Sequence, residues 1–152
     1  MMRLTAQLKG FDALSLKVKY LVDAARRGLK ESVPEAADLF VQEAKLQVPV
    51  VTGNLRDHIH AEQTVDAPER QVYAVTPADP TANDVGFDPQ YARRIEYGFI
   101  GQDSLGRNFH QAAQPYMRPA YDAKQGEARA AIKEGVIGSL DDAMAQTAAR
   151  RR

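Results

Sequence analysis

The most enzyme-like segment of the sequence lies at residues 58–62, where His58, His60 and Glu62 alternate with apolar residues. Alternate residues of a β-strand share one face, so two imidazoles and a carboxylate at this spacing could bind zinc. A half-buried strand shows the same alternation toward water, and we favour that interpretation. We therefore predict no catalytic residue, no metal site and no cofactor. A metal-dependent hydrolase on these three residues is the less favoured alternative.

Other chemistry finds little support in the sequence. His110 stands alone, without a Ser and an Asp spaced as in a catalytic triad. The glycines between residues 98 and 106 lack the neighbouring Lys and Ser or Thr of a phosphate-binding loop. The chain has no Cys, which excludes disulfides, thiolate metal ligands and cysteine nucleophiles. The sequence therefore predicts a protein that is not an enzyme.

The charge balance points to protein partners. Lys and Arg number 20 and Asp and Glu number 20, so the chain lacks the net positive charge of a dedicated nucleic-acid or membrane-surface binder. No apolar run approaches the ~20 residues that span a bilayer, and no secretory apolar stretch follows the first residues. Local basic groups nevertheless leave a DNA-contacting module as a second alternative, through Arg93, Arg94 and the terminal Arg150, Arg151 and Arg152.

Two helical segments are predicted before residue 50. In the first, apolar residues recur every three or four positions and form one face, at Leu8, Phe11, Leu14, Val18, Leu21, Val22 and Ala25. Gly28 is predicted to end or bend this helix. Ser32 would then cap a second helix with Pro34 in its first turn, ending before Pro49. A helical hairpin or one bent helix should result.

The middle of the chain alternates strand signals with loop signals. Residues 58–65 and 70–76 predict two antiparallel strands joined across residues 66–69. Residues 77–90 contain several prolines and are predicted to form an exposed loop, and a short ordered stretch follows at residues 91–98. A second loop is predicted over residues 99–114. This loop has four large apolar side chains, which suggest a contact surface for subunits or partners: Phe99, Ile100, Leu105 and Phe109. Arg93 and Arg94 are predicted to belong to the same surface.

The last part of the chain is predicted to be helical from Met117. A break is expected at Gly135 and Gly138, with Ser139 capping a further segment and residues 148–152 frayed. Taken together, residues 1–152 predict one α+β domain. Its N-terminal helices and long C-terminal helix should pack on a small, mostly antiparallel sheet.

Turn and packing chemistry explains several residues in three segments of the chain, residues 47–59, 91–98 and 114–122. Gly53 can adopt positive φ in a turn, after which Leu55 and Ile59 should face the core. Glu96 is expected to pair with Arg56 or Arg94. The positions that matter in residues 47–59, 91–98 and 114–122 are Pro49, Thr52, Gly53, Leu55, Arg56, Tyr91, Ala92, Glu96, Gly98, Pro115, Pro119 and Ala120.

In this order, after an N-terminal amphipathic helix, the three segments resemble the neck or tail-completion family of long-tailed bacteriophages, whose members are also described as minor tail components. The resemblance spans residues 8–122. It implies a structural virion protein that completes the tail end and joins head to tail.

The resemblance further implies how such a protein works. It implies a ring of copies, which we expect to number six, and adjoining neck, head-closure and tail-tube proteins as partners. Loops 77–90 and 99–114 should dock on the adjoining rings, with genomic DNA passing through the channel. The protein is then expected in the virion, and in the host cytoplasm during assembly.

Overall fold

The structure, a computed structural model, describes residues 10–50, 53–77, 89–102 and 105–149. In chain order its elements are α1 (Phe11–Gln47), α2 (Asn54–Asp57), β1 (His60–Ala67), β2 (Arg70–Thr76), α3 (Pro89–Tyr97), β3 (Phe99–Gln102), β4 (Asn108–Gln111) and α4 (Met117–Ala149). The predicted α+β class is confirmed. Within the described residues the strands form two antiparallel pairs, β1–β2 and β3–β4, in place of one small sheet.

Helix α1 passes unbroken through the positions at which we predicted a boundary. Ser32 does not cap a new helix, because its Oγ donates a hydrogen bond of 2.7 Å to the carbonyl of Gly28, one turn earlier. Pro34 lies inside the helix and not in its first turn. The alternative of two helices in a hairpin is therefore wrong, and one helix of 37 residues spans both segments.

Helices α1 and α4 pack antiparallel at a crossing built from small residues. A Cβ on Gly28 would lie 2.7 Å from Ser139 Oγ and 2.8 Å from the carbonyl oxygen of Gly135. A Cβ on Gly135 would lie 2.6 Å from Ser32 Cβ. The predicted break at Gly135 and Gly138 and the cap at Ser139 are wrong, since α4 continues to Ala149. Gly28 and Gly135 therefore allow the two helices to approach closely, and neither glycine ends the helix to which it belongs.

The β1–β2 hairpin confirms the two predicted antiparallel strands. Its register shifts between Gln63 and Val65, a β-bulge that leaves Thr64 without a directly paired residue on β2. Ion pairs tie the turn end of this hairpin to α1, from Arg26 to Glu69 at 2.9 Å and from Lys30 to Asp66 at 3.2 Å.

The core lies where the end of α1, α2, α3 and the start of α4 meet. Ile59 and Leu55 are buried in it, at 0% and 4% exposure, as predicted. Tyr116 is one of the two largest fully buried side chains among the described residues. The other members of the cluster are Val41, Ala44, Val48, Ala92, Ile95 and Ala120.

The two predicted loops fare differently. Of residues 77–90, positions 78–88 lie outside the described residues, and α3 already begins at Pro89. Residues 99–114 do not form a loop, because β3 and β4 pair as a hairpin. Strand propensity was weak there, but pairing satisfies the backbone hydrogen bonds of both segments. At the C-terminus α4 ends at Ala149, and residues 150–152 lie outside the described part.

Candidate functional site

The three residues of the possible zinc site do not form one. His58 belongs to the turn after α2, and its Nδ1 lies 2.6 Å from the carbonyl oxygen of Asn54. His60 begins β1, with Nδ1 2.8 Å from the carbonyl oxygen of His58. Only His60 and Glu62 therefore share the strand. In the part of the chain that the structure describes, no group of three or more His, Asp or Glu side chains is placed to hold a metal ion.

Glu96 joins α3 to the first turn of α4. Its Oε2 accepts hydrogen bonds from the backbone N–H groups of Tyr116 at 2.8 Å and Met117 at 3.0 Å. Its Oε1 accepts a longer bond from the N–H of Arg118 at 3.3 Å. The first N–H groups of a helix have no partner within the helix and carry its positive dipole end, so a carboxylate stabilises them.

This role replaces the expected ion pair of Glu96 with Arg56 or Arg94. The Nε of Arg56 instead lies 3.1 Å from Asp57 Oδ1, at the surface. Arg94 places its guanidinium over the ring of Phe99, 4.6 Å from the centroid. We predicted arginine side chains as partners of Glu96, whereas its bonds come from backbone N–H groups 20 to 22 positions later.

Tyr116 sits beneath this junction and is 1% exposed. Burial raises the pKa of its hydroxyl to about 12, with smaller contributions from the charges of Glu96 and Tyr97. A further bond, from the N–H of Gln114 to the carbonyl of Ile95 at 2.8 Å, holds the strand leaving the hairpin against α3. The junction therefore gives the β3–β4 hairpin a fixed base.

Gly98 forms the bend between α3 and β3. Its φ is +77°, and a Cβ there would lie 2.9 Å from the carbonyl oxygen of Gln111 and 3.0 Å from the N of Ala113. The two ends of the hairpin thus approach so closely at Gly98 that no larger side chain fits without movement.

The hairpin divides the predicted contact residues between two faces. Phe99 and Phe109 share one face, with ring centroids 6.3 Å apart. Phe99 lies two residues before Gly101 on β3, and Gly101 pairs directly with Phe109 on β4. Ile100 pairs with His110 on the opposite face and is 79% exposed. Phe99 itself is only partly exposed, because its ring covers Gly101 and lies under Arg94.

Several large apolar side chains of this region remain exposed. The exposed fractions are 77% for Tyr97, 74% for Leu105 and 52% for Phe109. Tyr97 was not predicted as a contact residue, although its position at the end of an ordered stretch beside the second predicted loop could have indicated it. A hairpin with a fixed base and apolar side chains directed to solvent is suited to binding another protein.

A shallow cavity of about 630 Å³ lies between α3 and the start of β3. Its lining combines two guanidinium groups with aromatic rings, from Gln90, Arg93, Arg94, Tyr97, Gly98 and Phe99. Such a lining can bind a carboxylate or a phosphate by charge-assisted hydrogen bonds. Arg93 and Arg94 thus lie beside Phe99, one of the predicted contact residues.

The remaining motif residues support this architecture. Pro49 follows the end of α1, and Gly53 has a φ of +87° before α2, as predicted. Thr52 lies outside the described residues. Pro115 precedes α4 and Pro119 occupies its first turn, where a missing N–H is tolerated. Ala92 and Ala120 are buried, whereas Tyr91 is 38% exposed.

A sequence model described as "Bacteriophage HK97-gp10, putative tail-component" matches residues 12–98, which is more than half of the chain. The chain belongs to the HK97 gp10-like family of bacteriophage tail components. In this tail component the matched residues run from α1 through α3 and stop at Gly98. The family therefore accounts for Glu96 and its helix, while the β3–β4 hairpin and α4 lie beyond the match.

No curated protein and no solved structure matches this tail component. Among its described helices, none is both long enough and apolar enough to cross a membrane. Membership of a tail-component family identifies the chain as a protein of the phage particle, and its surface is the place to look for function.

Proposed function

We propose that this tail component is a structural, non-enzymatic protein of the phage neck, which completes the tail end and joins head to tail as a ring. The observation that carries the proposal is the β3–β4 hairpin, with exposed apolar side chains on a base fixed by Glu96. Family membership supports a place in the tail. The finer assignment to the neck rests on the resemblance of the three sequence segments.

The ring is proposed to contain six copies, in keeping with the symmetry of phage tails. Closed cyclic symmetry lets each copy use the same pair of surfaces with both neighbours. Adjoining neck, head-closure and tail-tube proteins would bind the hairpin and the segment from 77 to 90. Assembly would take place in the host cytoplasm, and the finished ring would stay in the virion.

A phage that lacks this protein should accumulate DNA-filled heads and separate or unfinished tails, counted in electron micrographs. Complementation then tests the hairpin itself. Ile100→Asp should fail to restore tailed particles, whereas Gln102→Asp, an exposed polar position on the same strand and face, should restore them. Normal infectious particles without the protein would contradict the proposal.

Contact with genomic DNA is a second candidate function, which the paired guanidinium groups at the cavity of Arg93 and Arg94 favour. The purified chain would be titrated with duplex DNA at several salt concentrations. Phosphate contacts predict a linear fall of log K with log salt, with a slope of about −0.9 per phosphate. Arg93→Ala should reduce that slope. Binding that is absent, or independent of salt, would remove this candidate.

A further inference from the structure

Strand β2 is hydrogen-bonded to another strand on one side only. Within the described residues it belongs to a sheet of two strands, with β1 as its neighbour. The carbonyl of Val72 points toward β1, because it accepts a hydrogen bond of 3.2 Å from the Thr64 hydroxyl on that strand. In an antiparallel pair, successive residues direct their N–H and C=O groups alternately toward the partner strand and away from it. Those of Tyr73 and Val75 therefore point away from β1, to the free edge of the sheet.

The two edges of this sheet differ in their protection against further pairing. Edge strands of native proteins are protected by charged side chains, proline or bulges. Strand β1 has such protection, with Glu62, Asp66 and the bulge between Gln63 and Val65. Residues 71–75 of β2 carry neither a charge nor a proline. The edge of β2 is therefore the one suited to accept a third strand.

A groove lies beside this edge, between β2 and the start of α4. It holds a cavity of about 270 Å³. Its lining includes Phe40 on α1, Tyr73 and Val75 on β2, and Met117, Ala120 and Tyr121 on α4. No described residue of β1 belongs to this lining. The groove is therefore on the β2 side of the sheet, next to the free edge.

A strand paired with β2 would place side chains in this groove. Directly paired residues of neighbouring strands point to the same face of a sheet. The residues opposite Tyr73 and Val75 would therefore face the helices, near the Phe40 ring, which stacks on the ring of Tyr121 at 5.7 Å. The lining is largely apolar, so these two positions of the added strand should hold apolar side chains. The residue between them would face away from the helices.

The size of this surface indicates which kind of partner fits it. A standard interface between folded proteins buries about 800 Å² per partner, of which roughly 450 Å² is apolar. Of the side chains that line the groove, only Tyr121 is more than half exposed, at 51%, which leaves roughly 100 Å² of it free. The groove alone is therefore too small to hold a second folded copy. A single extended segment needs less apolar area, because its main chain bonds to the strand edge.

We propose that the free edge of β2 binds an extended segment of another tail protein, which adds a third strand to the β1–β2 sheet. The backbone of that segment would exchange hydrogen bonds with Tyr73 and Val75, and its apolar side chains at alternate positions would fill the groove beside Tyr121. This inference goes beyond the proposed function, because it assigns a partner chemistry to a surface other than the β3–β4 hairpin. It rests on the proposed function only for the presence of the chain in the virion.

Amide hydrogen exchange along β2 tests this inference and contains its own control. In the purified chain at low concentration, the amides of Val72 and Ala74 should exchange slowly because they bond to β1. Those of Tyr73 and Val75 should exchange rapidly. In purified virions all four amides should exchange slowly. Mass spectrometry with fragmentation to single residues measures both samples.

Slow exchange of Tyr73 and Val75 in virions only is the expected result. Slow exchange already in the purified chain would show that the chain itself or a second copy covers the edge, and would overturn the inference. Rapid exchange in virions that contain the chain would overturn it alone, because the deletion phenotype still decides the neck function. Virions without the chain would overturn both.

Proline variants test the same edge through assembly. Tyr73→Pro removes the N–H that points to the free edge and leaves the bonds to β1 in place. Gln63→Pro is the matched control, because Gln63 pairs directly with Tyr73 and its N–H points to the opposite edge of the sheet. Tyr73→Ala is a second control, which removes the side chain and keeps the N–H. Circular dichroism first establishes that each variant folds.

In complementation of the phage that lacks the protein, Tyr73→Pro should restore few or no tailed particles, whereas Gln63→Pro and Tyr73→Ala should restore them. Equal restoration by Tyr73→Pro and either control would overturn the inference. If Tyr73→Pro does not fold, the exchange measurement decides.

Discussion

The carboxylate of Glu96 accepts the backbone N–H of Tyr116, 20 residues later in the chain, at 2.8 Å. This bond and its two neighbours join α3 to the N-terminus of α4 and close the base of the β3–β4 hairpin. A carboxylate here serves as a helix cap supplied from a different helix. The orientation of the hairpin, and with it the proposed contact surface, depends on this junction.

Replacing Glu96 with Ala should lower the free energy of unfolding by about 1–3 kcal/mol, because three backbone N–H groups lose a charged acceptor. Glu96→Gln keeps an acceptor oxygen but loses the charge, so its effect should be smaller. Urea unfolding followed by circular dichroism measures both. Glu134→Ala, at an exposed position of α4, should stay within about 0.5 kcal/mol of the original protein. Equal values for Glu96→Ala and Glu134→Ala would contradict the capping role.

Two glycines of the long helices should respond to Ala with opposite signs. Gly28→Ala places a Cβ 2.8 Å from the carbonyl oxygen of Gly135 and 2.9 Å from Val136 Cα, so the helices must separate. We expect a loss of about 1–3 kcal/mol despite the better helix propensity of Ala. Gly126→Ala meets nothing within 4 Å and should stabilise the protein by about 0.5–1 kcal/mol. Thermal unfolding compares the two, and stabilisation by Gly28→Ala would refute the close crossing.

Gly98 and Gly106 both have positive φ, but only Gly98 has backbone atoms close to the position of a Cβ. Comparing alanine variants at the two positions therefore separates the cost of backbone strain from the cost of steric conflict. Gly106→Ala should cost about 1 kcal/mol, since its Cβ would have no atom within 4 Å. Gly98→Ala has the same strain and also meets the backbone of Gln111 at 2.9 Å, so its loss should be larger by about 1–2 kcal/mol. The two variants are compared by chemical denaturation. Similar losses would mean that the ends of the hairpin can move apart.

Tyr116 should make the protein sensitive to alkali. Its pKa is raised to about 12 by burial in the folded chain, whereas the ordinary value is 10.0. Between these values the unfolded chain loses the proton first, so the free energy of unfolding falls as pH rises from about 10 to about 12. Below about 10 the group contributes no pH dependence. Tyr116→Phe should show a smaller fall over the same range in denaturant titrations, and an unchanged fall would contradict this assignment.

Local sequence rules located β1 and β2, missed β3 and β4, and predicted helix boundaries inside α1 and α4 that the structure does not have. Gly28, Ser32 and Gly135 are residue types that are common at helix ends. A glycine inside a helix lowers the stability of that helix by only about 1 kcal/mol relative to alanine. The packing of α1 on α4 offsets that cost, because small residues let the two backbones approach. That compensation involves residues more than 100 positions apart, which a window along the sequence does not contain.

The candidate site was predicted in part. Residues 91–98 were identified as an ordered stretch, and Ile100, Leu105 and Phe109 were predicted contact residues that prove to be exposed. Phe99 was expected in the same set but packs within the chain, under Arg94. The β3–β4 pairing escaped prediction because four-residue strands containing Gly, Gln and Asn carry almost no propensity signal. Turn and core positions such as Gly53 and Leu55 were predictable because they depend on adjacent residues alone.

Helix α4 runs without interruption from the junction at Glu96 to the neighbourhood of Met144. The distance between the two ends of α4 is therefore set by its number of residues, at about 1.5 Å each. Adding or removing seven residues would lengthen or shorten α4 by about 10 Å, while the side chains beyond the change would keep nearly the same orientation about the helix axis. The length of this one helix therefore sets how far the Glu96 junction lies from the end of α4 at Ala149.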